Sequence, residues 1–257
     1  MRAARGFTLV ELVTVIVVLS IVAAIGSGFI VTAVDSYRDT QQRAKLVQKG
    51  RLAIEQMTRQ LRMALPHSLR LSPSGNCIEF MPIVGGANYL DAVPDDANGM
   101  APSAAIETAT INLGTATPVH VVIGGLSPDN IYSGNARASF ASILGSTVNL
   151  MANHRFIRNS INRRLFLTND PMQFCVIGGN LLEFPPYGLI AVAPNDAGPG
   201  GNQVTIVTGV AVPAAMQAFS LSGGSEDRNT VILINLIFQE GNTSVQLNHE
   251  VLVRNVP

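Results

Sequence analysis

The chain has 257 residues, of which 47% are apolar and only 13% are charged, against roughly 25% charged residues in typical soluble domains. This composition excludes a mainly disordered protein, because the apolar residues suffice to build a core. Lys and Arg total 17, as do Asp and Glu, so the zero net charge provides no overall field to collect nucleic acid or an anionic substrate.

The first element along the chain is an uncharged apolar run from Leu12 to Val34. It exceeds the roughly 20 residues that a helix needs to cross the hydrocarbon of a bilayer. Arg2 and Arg5 precede it, and the positive-inside tendency keeps such residues in the cytoplasm. We therefore predict one transmembrane helix, with the rest of the chain exported across the bacterial inner membrane.

Glu11 stands at the edge of this run, in the stretch GFTLVE at residues 6–11. The stretch resembles the prepilin signal of the type IV pilin superfamily. The resemblance implies that residues 1–6 are a leader, that prepilin peptidase cleaves between Gly6 and Phe7, and that it N-methylates Phe7. A secretory signal peptide cut near Ser27 and a plain membrane anchor are the alternative interpretations.

Glu11 itself calls for an explanation, because a carboxylate in hydrocarbon costs a few kcal/mol and so implies a cationic partner. The resemblance implies an assembly role for Glu11, whose partner in that superfamily is the N-terminal amine of a neighbouring subunit. In this chain the amine would be that of Phe7. Alternatively, the side chain of Glu11 extends to the membrane surface and has no assembly role.

Beyond residue 34 the helix is predicted to continue as an amphipathic segment, residues 35–65, which we call the stem. Its apolar residues recur at helical spacing, at Val47, Ile54, Met57, Leu61 and Leu65. Pro66 removes a backbone donor and disfavours helical geometry before it. We expect one helix over residues 7–65, with its transmembrane half at 7–34.

The charges of the stem are mostly basic, whereas residues 66–257, which we call the head, carry more acids than arginines. The seven basic stem residues are Arg38, Arg43, Lys45, Lys49, Arg51, Arg59 and Arg62, against Asp35, Asp39 and Glu55. This asymmetry would steer subunits together or attract anionic lipid headgroups. A solvated helix face is the alternative.

The head is predicted to be a β-sheet structure with long loops. A hairpin is expected over 69–81, and further strands at 119–123, 164–167, 173–177, 181–184, 203–208, 231–239 and 243–254. Residues 88–117 are rich in Ala, Asp, Gly and Pro and predict an irregular excursion. The fold class is therefore α+β, with a long N-terminal helix packed on an antiparallel head, and one head domain is expected rather than two.

No constellation of residues in the head predicts catalysis. The only lysines, Lys45 and Lys49, lie on the stem, which excludes a phosphate-binding loop, and the His249-Glu250 pair lacks a second zinc-binding histidine. The acidic segment 91–98 fits no calcium-loop spacing and predicts a solvated turn. The basic residues near 155–164 are too few for DNA capture. We expect no enzyme activity, cofactor, metal or nucleic acid.

Two cysteines, Cys77 and Cys175, lie on predicted strands of an exported head. An oxidising compartment favours a disulfide between them. Two independent buried thiols are the alternative.

Short segments of the head are similar to minor pilins of the mannose-sensitive haemagglutinin (MSHA) pilus: 65–70, 77–80, 171–181, 247–251 and 254–257. This resemblance implies a low-copy pilin that initiates or caps a filament by packing against other minor and major pilins. It also implies processing by prepilin peptidase and residence in the inner membrane, then in the pilus. A minor pseudopilin of type II secretion, and a tip adhesin or DNA-binding pilin, are the alternatives.

Overall fold

A computed structural model of the protein describes residues 6, 8–223 and 229–253. Helix α1 runs from Leu9 to Leu61, and the hydroxyl of Thr8 caps it by accepting from the backbone N–H of Glu11 at 3.3 Å. No proline interrupts the helix, which continues without a break through Gly26 and Gly28. Antiparallel sheets follow α1, so the predicted α+β class is confirmed.

Helix α1 ends at Leu61, four residues earlier than the proline predicts. The backbone of Met63 accepts from Ile83, the N–H of Leu65 donates to Met81, and Ala64 bridges Pro82. These bonds to the next part of the chain replace the last helical turn. The predicted end at Leu65 is wrong because tertiary pairing ends the helix before Pro66 does.

The first sheet lies directly after the helix and has five strands in the order β1-β2-β9-β10-β11. Their bounds are β1 Arg70–Leu71, β2 Cys77–Phe80, β9 Met172–Ile177, β10 Asn180–Phe184 and β11 Val204–Thr208.

The second sheet is built around the long strand β14. It comprises β12 Val210–Ala211, β13 Phe219–Ser222, β14 Thr230–Glu240 and β15 Thr243–Val253. β12 and β13 pair with successive parts of one edge of β14, and β15 pairs along the other edge.

The third sheet has six strands in the order β3-β8-β5-β6-β7-β4. They are β3 Ile83–Asn88, β4 Ser103–Glu107, β5 His120–Val122, β6 Arg137–Leu144, β7 Thr147–His154 and β8 Arg164–Thr168, with the short helix α2, Pro128–Tyr132, between β5 and β6.

This third sheet departs most from the sequence prediction. β4 lies inside the segment 88–117 that we expected to be irregular, and the β6–β7 hairpin was not predicted at all. Ile106 of β4 pairs with Val148 of β7 and both are buried, so pairing with a distant strand overrides the low strand propensity of the Ala-rich β4. That part of the prediction is wrong.

The stem packs on the first two sheets through the side chains that its spacing predicts. Ile54, Met57 and Leu61 are buried against aromatic and aliphatic residues of the sheets, among them Phe80, Phe174, Ile234, Leu236 and Phe238. The third sheet forms a separate apolar cluster around Val121, Leu165 and Leu167.

Candidate assembly interface

The N-terminal half of α1 makes no packing contact that buries it. From residue 8 to 45 every described residue except the half-buried Gly26 is exposed, including Phe29 at 77% and Leu9 at 79%. Within the part of the chain that the structure describes, α1 alone is long and apolar enough to cross a membrane. This bare apolar surface needs either lipid or other helices around it.

Hydroxyl groups within this apolar half are satisfied by the helix itself. Ser20 donates to the carbonyl of Ile16 at 2.7 Å, Ser27 to that of Ala24 at 2.9 Å, and Thr32 to that of Gly28 at 3.0 Å. A polar group in hydrocarbon requires such an internal partner, because water is absent there. The polar residues of the run therefore do not oppose its burial in an apolar environment.

Glu11 lies in the first turn of α1, and its carboxylate is exposed. Its backbone is engaged, since the N–H bonds to Thr8 and the carbonyl accepts from Thr14 Oγ1 at 3.0 Å. The carboxylate has no hydrogen bond or ion pair with any residue in the described ranges. Phe7 lies outside the described residues, and Gly6 is exposed.

The junction of stem and head combines close packing with polar contacts. Gly50 faces Leu247 and Phe238, and the amides of Gln56 and Gln60 donate to the carboxylate of Glu183 at 3.0 and 3.3 Å. The stem is thereby held against β10 and β15, while the exposed half of α1 extends beyond the head.

The two cysteines occupy directly opposed positions on β2 and β9. Cys77 pairs with Cys175 in the strand register, the Cα atoms are 4.1 Å apart, and the sulfurs are bonded. Both residues are fully buried. The bond links β2 to β9, the middle strand of the first sheet.

The acidic segment 91–98 and the arginines near 155–164 form hydrogen bonds that hold loops together. Both carboxylate oxygens of Asp95 accept N–H groups, one from Ala97 and Asn98 and the other from Asn159, and these bonds lower the pKa of Asp95. Among the described residues no group of three potential metal ligands occurs. Arg155 and Arg163 donate to the backbone carbonyls of Met100 and Leu90, which ties them to the same loops.

One buried network that the sequence did not predict surrounds Glu79. Arg70 Nε donates to Glu79 Oε2 at 2.6 Å, Tyr187 donates to the other oxygen, and the Arg70 guanidinium lies 3.4 Å from the ring centre of Tyr132. Burial raises the pKa of Glu79 although both hydrogen-bond partners and the arginine charge lower it. Arg70 also donates to the carbonyls of Ile190 and Ala191, so the network holds the loop after β10.

A second such network contains His120. Its Nε2 lies 2.8 Å from Asp170 Oδ1, and Arg137 Nη1 lies 3.2 Å from its Nδ1. Because arginine can only donate, Nδ1 accepts the hydrogen bond from Arg137. Nε2 is then protonated and donates to Asp170, so the imidazole is neutral. Burial lowers the pKa of His120, in agreement with this state. Both networks link strands and loops.

Comparison with known proteins gives one match, at the N-terminus. Residues 1–27 match the family model of the prokaryotic N-terminal methylation motif. No curated protein matches the chain, and no solved structure matches it. The N-terminus thus carries a type IV pilin-like methylation motif, and its apolar helix is consistent with membrane anchoring.

Proposed function

We propose that the protein is a minor, low-copy type IV pilin that helps to initiate or cap an MSHA-type pilus by subunit packing, in the manner of MshO. The observation that carries this proposal is the combination of the methylation motif at residues 1–27 with an apolar helix half that the head leaves bare. A filament core made of packed helices is an environment that covers such a surface.

The processing steps belong to the same proposal. Prepilin peptidase cleaves between Gly6 and Phe7 and methylates Phe7, after which the helix remains in the inner membrane with the head in the periplasm. The protein then leaves the membrane to join other minor and major pilins. The apolar residues that follow Glu11 support this order, because they can stay in hydrocarbon after the basic leader is removed.

Glu11 supplies the polar contact of assembly. Its carboxylate has no partner among the described residues, and the methylated amine of Phe7 in a neighbouring subunit is the cation that we propose for it. Removing one member of a buried ion pair costs roughly 3 to 5 kcal/mol, and position at the membrane edge reduces this cost. The pair would therefore select subunits in the correct axial position.

The test compares Glu11→Leu with Asp39→Leu, which removes an exposed acid from the stem. Both variants are expected to insert and to be processed, since neither change makes the helix less apolar. Only Glu11→Leu should fail to co-purify with the other pilins of its system. If Glu11→Leu is processed and assembles at the wild-type level, Glu11 has no assembly role.

Deleting the gene distinguishes the structural role from a tip-binding role. Loss of filaments supports an assembly subunit, whereas normal filaments with lost attachment support an adhesin or DNA receptor. A type II secretion role would instead show as loss of secreted proteins with the pili intact.

A further inference from the structure

Strand β15 presents a free edge along the side of the head that faces the stem. Its pairing with β14 begins at Glu240 and Thr243, which flank the two-residue turn Gly241-Asn242. The closing pair of such a hairpin is hydrogen-bonded, and hydrogen-bonded pairs alternate along the strands. Alternate residues therefore direct their N–H and C=O groups away from β14: Ser244, Gln246, Asn248, Glu250 and Leu252. No described strand pairs with this edge.

A groove lies between this edge and the stem. One face of α1 contributes Arg51, Glu55, Thr58 and Arg62 at spacings of four, three and four, and β15 contributes residues 247–249, around a volume of about 400 Å³. An adjoining volume of about 580 Å³ shares Arg62 and extends to Leu252 and Arg164. We call the two volumes together the stem groove.

The charges in the stem groove are mostly positive and unpaired. Arg51 and Arg62 are exposed and form no ion pair with a described residue. The one stem acid in the groove, Glu55, lies 4.0 Å from Arg59, which is outside it. The hydroxyl of Thr58 also lacks a hydrogen-bond partner among the described residues, although Thr58 is only 7% exposed.

We propose that the stem groove binds an extended acidic segment of another subunit, which adds to the free edge of β15 as a further strand. Backbone groups of the segment would bond to the outward groups of β15, and its carboxylates would pair with Arg51 and Arg62. Strand addition of this kind takes its affinity from the main chain and its specificity from alternate side chains. The proposal rests on the proposed function in one respect only, namely that the segment belongs to another pilin subunit.

The positions of Arg51 and Arg62 on the helix predict the spacing of the carboxylates in the bound segment. Arg51 and Arg62 are eleven residues apart, which is about 16 Å along a helix and corresponds to about five residues of extended strand. Residues on one side of a strand recur every second position. The matching segment therefore carries carboxylates about four or six residues apart, on the side that faces the stem.

The binding test uses the full chain in detergent micelles and a fluorescein-labelled peptide of five Thr-Glu repeats. The double variant Arg51→Glu/Arg62→Glu is expected to weaken binding about tenfold or more, and Arg43→Glu, on the same helix outside the groove, by less than about twofold. A peptide of five Thr-Lys repeats should not bind. Equal effects of the two arginine variants, or equal binding of the two peptides, would overturn the proposal.

A second pair of variants tests the strand addition itself. Asn248→Pro removes an outward N–H inside the groove, whereas Ser244→Pro removes one from the same edge beyond it; an edge strand tolerates both. We expect weaker peptide binding only for Asn248→Pro, with unchanged melting temperature in both. Peptide binding that survives Asn248→Pro unchanged would show that the backbone of β15 takes no part.

Anionic lipid is the competing ligand, and vesicles of phosphatidylglycerol test it. If the double arginine variant loses vesicle binding but keeps peptide binding, the groove recognises headgroups and the proposal is wrong. None of these measurements depends on cleavage at Gly6 or on Glu11. If the groove does not bind the peptide, the assembly proposal is therefore unaffected. If Glu11→Leu assembles normally, the proposal for the stem groove is likewise unaffected.

Discussion

Gly50 of the stem lies so close to Leu247 of β15 that a Cβ atom on Gly50 would come within 2.5 Å of the Leu247 Cδ1. The ring of Phe238 would lie 2.8 Å from the same Cβ atom. Glycine at this position thus allows the helix to approach the second sheet at the point where the stem begins to be buried.

Gly50→Ala should destabilise the head, because overpacking of this kind costs about 1 to 3 kcal/mol and exceeds the gain in helix propensity. Gly28→Ala is the matched control, since no atom lies within 4 Å of its added Cβ. Thermal unfolding of the full chain in detergent should show a lower melting temperature for Gly50→Ala alone. Equal melting temperatures would mean that the helix moves away at little cost.

The buried pair of Arg70 and Glu79 should be sensitive to loss of one partner. Their side chains are only 9% and 1% exposed, so Arg70→Met leaves a buried carboxylate without its cationic partner, which costs about 3 to 5 kcal/mol. Arg70→Met/Glu79→Leu should cost less than Arg70→Met alone. Denaturant unfolding of the two variants measures this difference, and a double variant that is less stable than the single one would contradict it.

The state of His120 predicts a pH dependence of stability. Burial lowers the pKa of His120 below its ordinary value of 6.5, so the unfolded chain binds the proton more readily than the folded chain. Stability is therefore lost as the pH falls below 6.5 towards the folded pKa. In His120→Gln the side-chain amide can accept a hydrogen bond from Arg137 and donate one to Asp170, and it does not titrate.

The measurement is the difference in unfolding free energy between wild type and His120→Gln from pH 7.5 to 5. Wild type should lose more stability over this range. The comparison removes the contributions of Glu79 and His154, which both proteins share. Parallel pH profiles would show that folding does not lower the pKa of His120.

The disulfide closes a sequence separation of 98 residues, and its removal should cost about 2 to 4 kcal/mol by constraining the unfolded chain less. Cys77→Ala/Cys175→Ala should accordingly unfold at lower denaturant concentration. Peptide mapping of protein isolated without reduction should recover the two cysteines in one linked peptide. Two thiols open to alkylation would contradict the pairing.

The N-terminal proposal predicts a defined mass. Protein extracted from membranes should have lost Met1 to Gly6 and gained one methyl group on Phe7. Gly6→Leu is expected to block cleavage, because it changes the residue on the leader side of the proposed site, and Thr8→Ser serves as control. An intact leader, or a cut near Ser27, would remove the pilin interpretation.

The sequence alone determined the features that depend on local pattern. The uncharged run predicts the bare half of α1, the spacing of Ile54, Met57 and Leu61 predicts the buried stripe, and Gly241-Asn242 between two alternating segments predicts the β14–β15 hairpin. Each of these features is set by residues close together in the chain, where helical and strand periodicities apply directly.

Tertiary structure decided the features that join distant residues. Glu79 meets Tyr187 across 108 residues, His120 meets Asp170 across 50, and the end of α1 is set by bonds to Met81 and Ile83. Local periodicity contains no information about such pairings. β4 and the β6–β7 hairpin became strands for the same reason, since their small and polar residues gain enough from cross-strand contacts to offset a weak intrinsic preference.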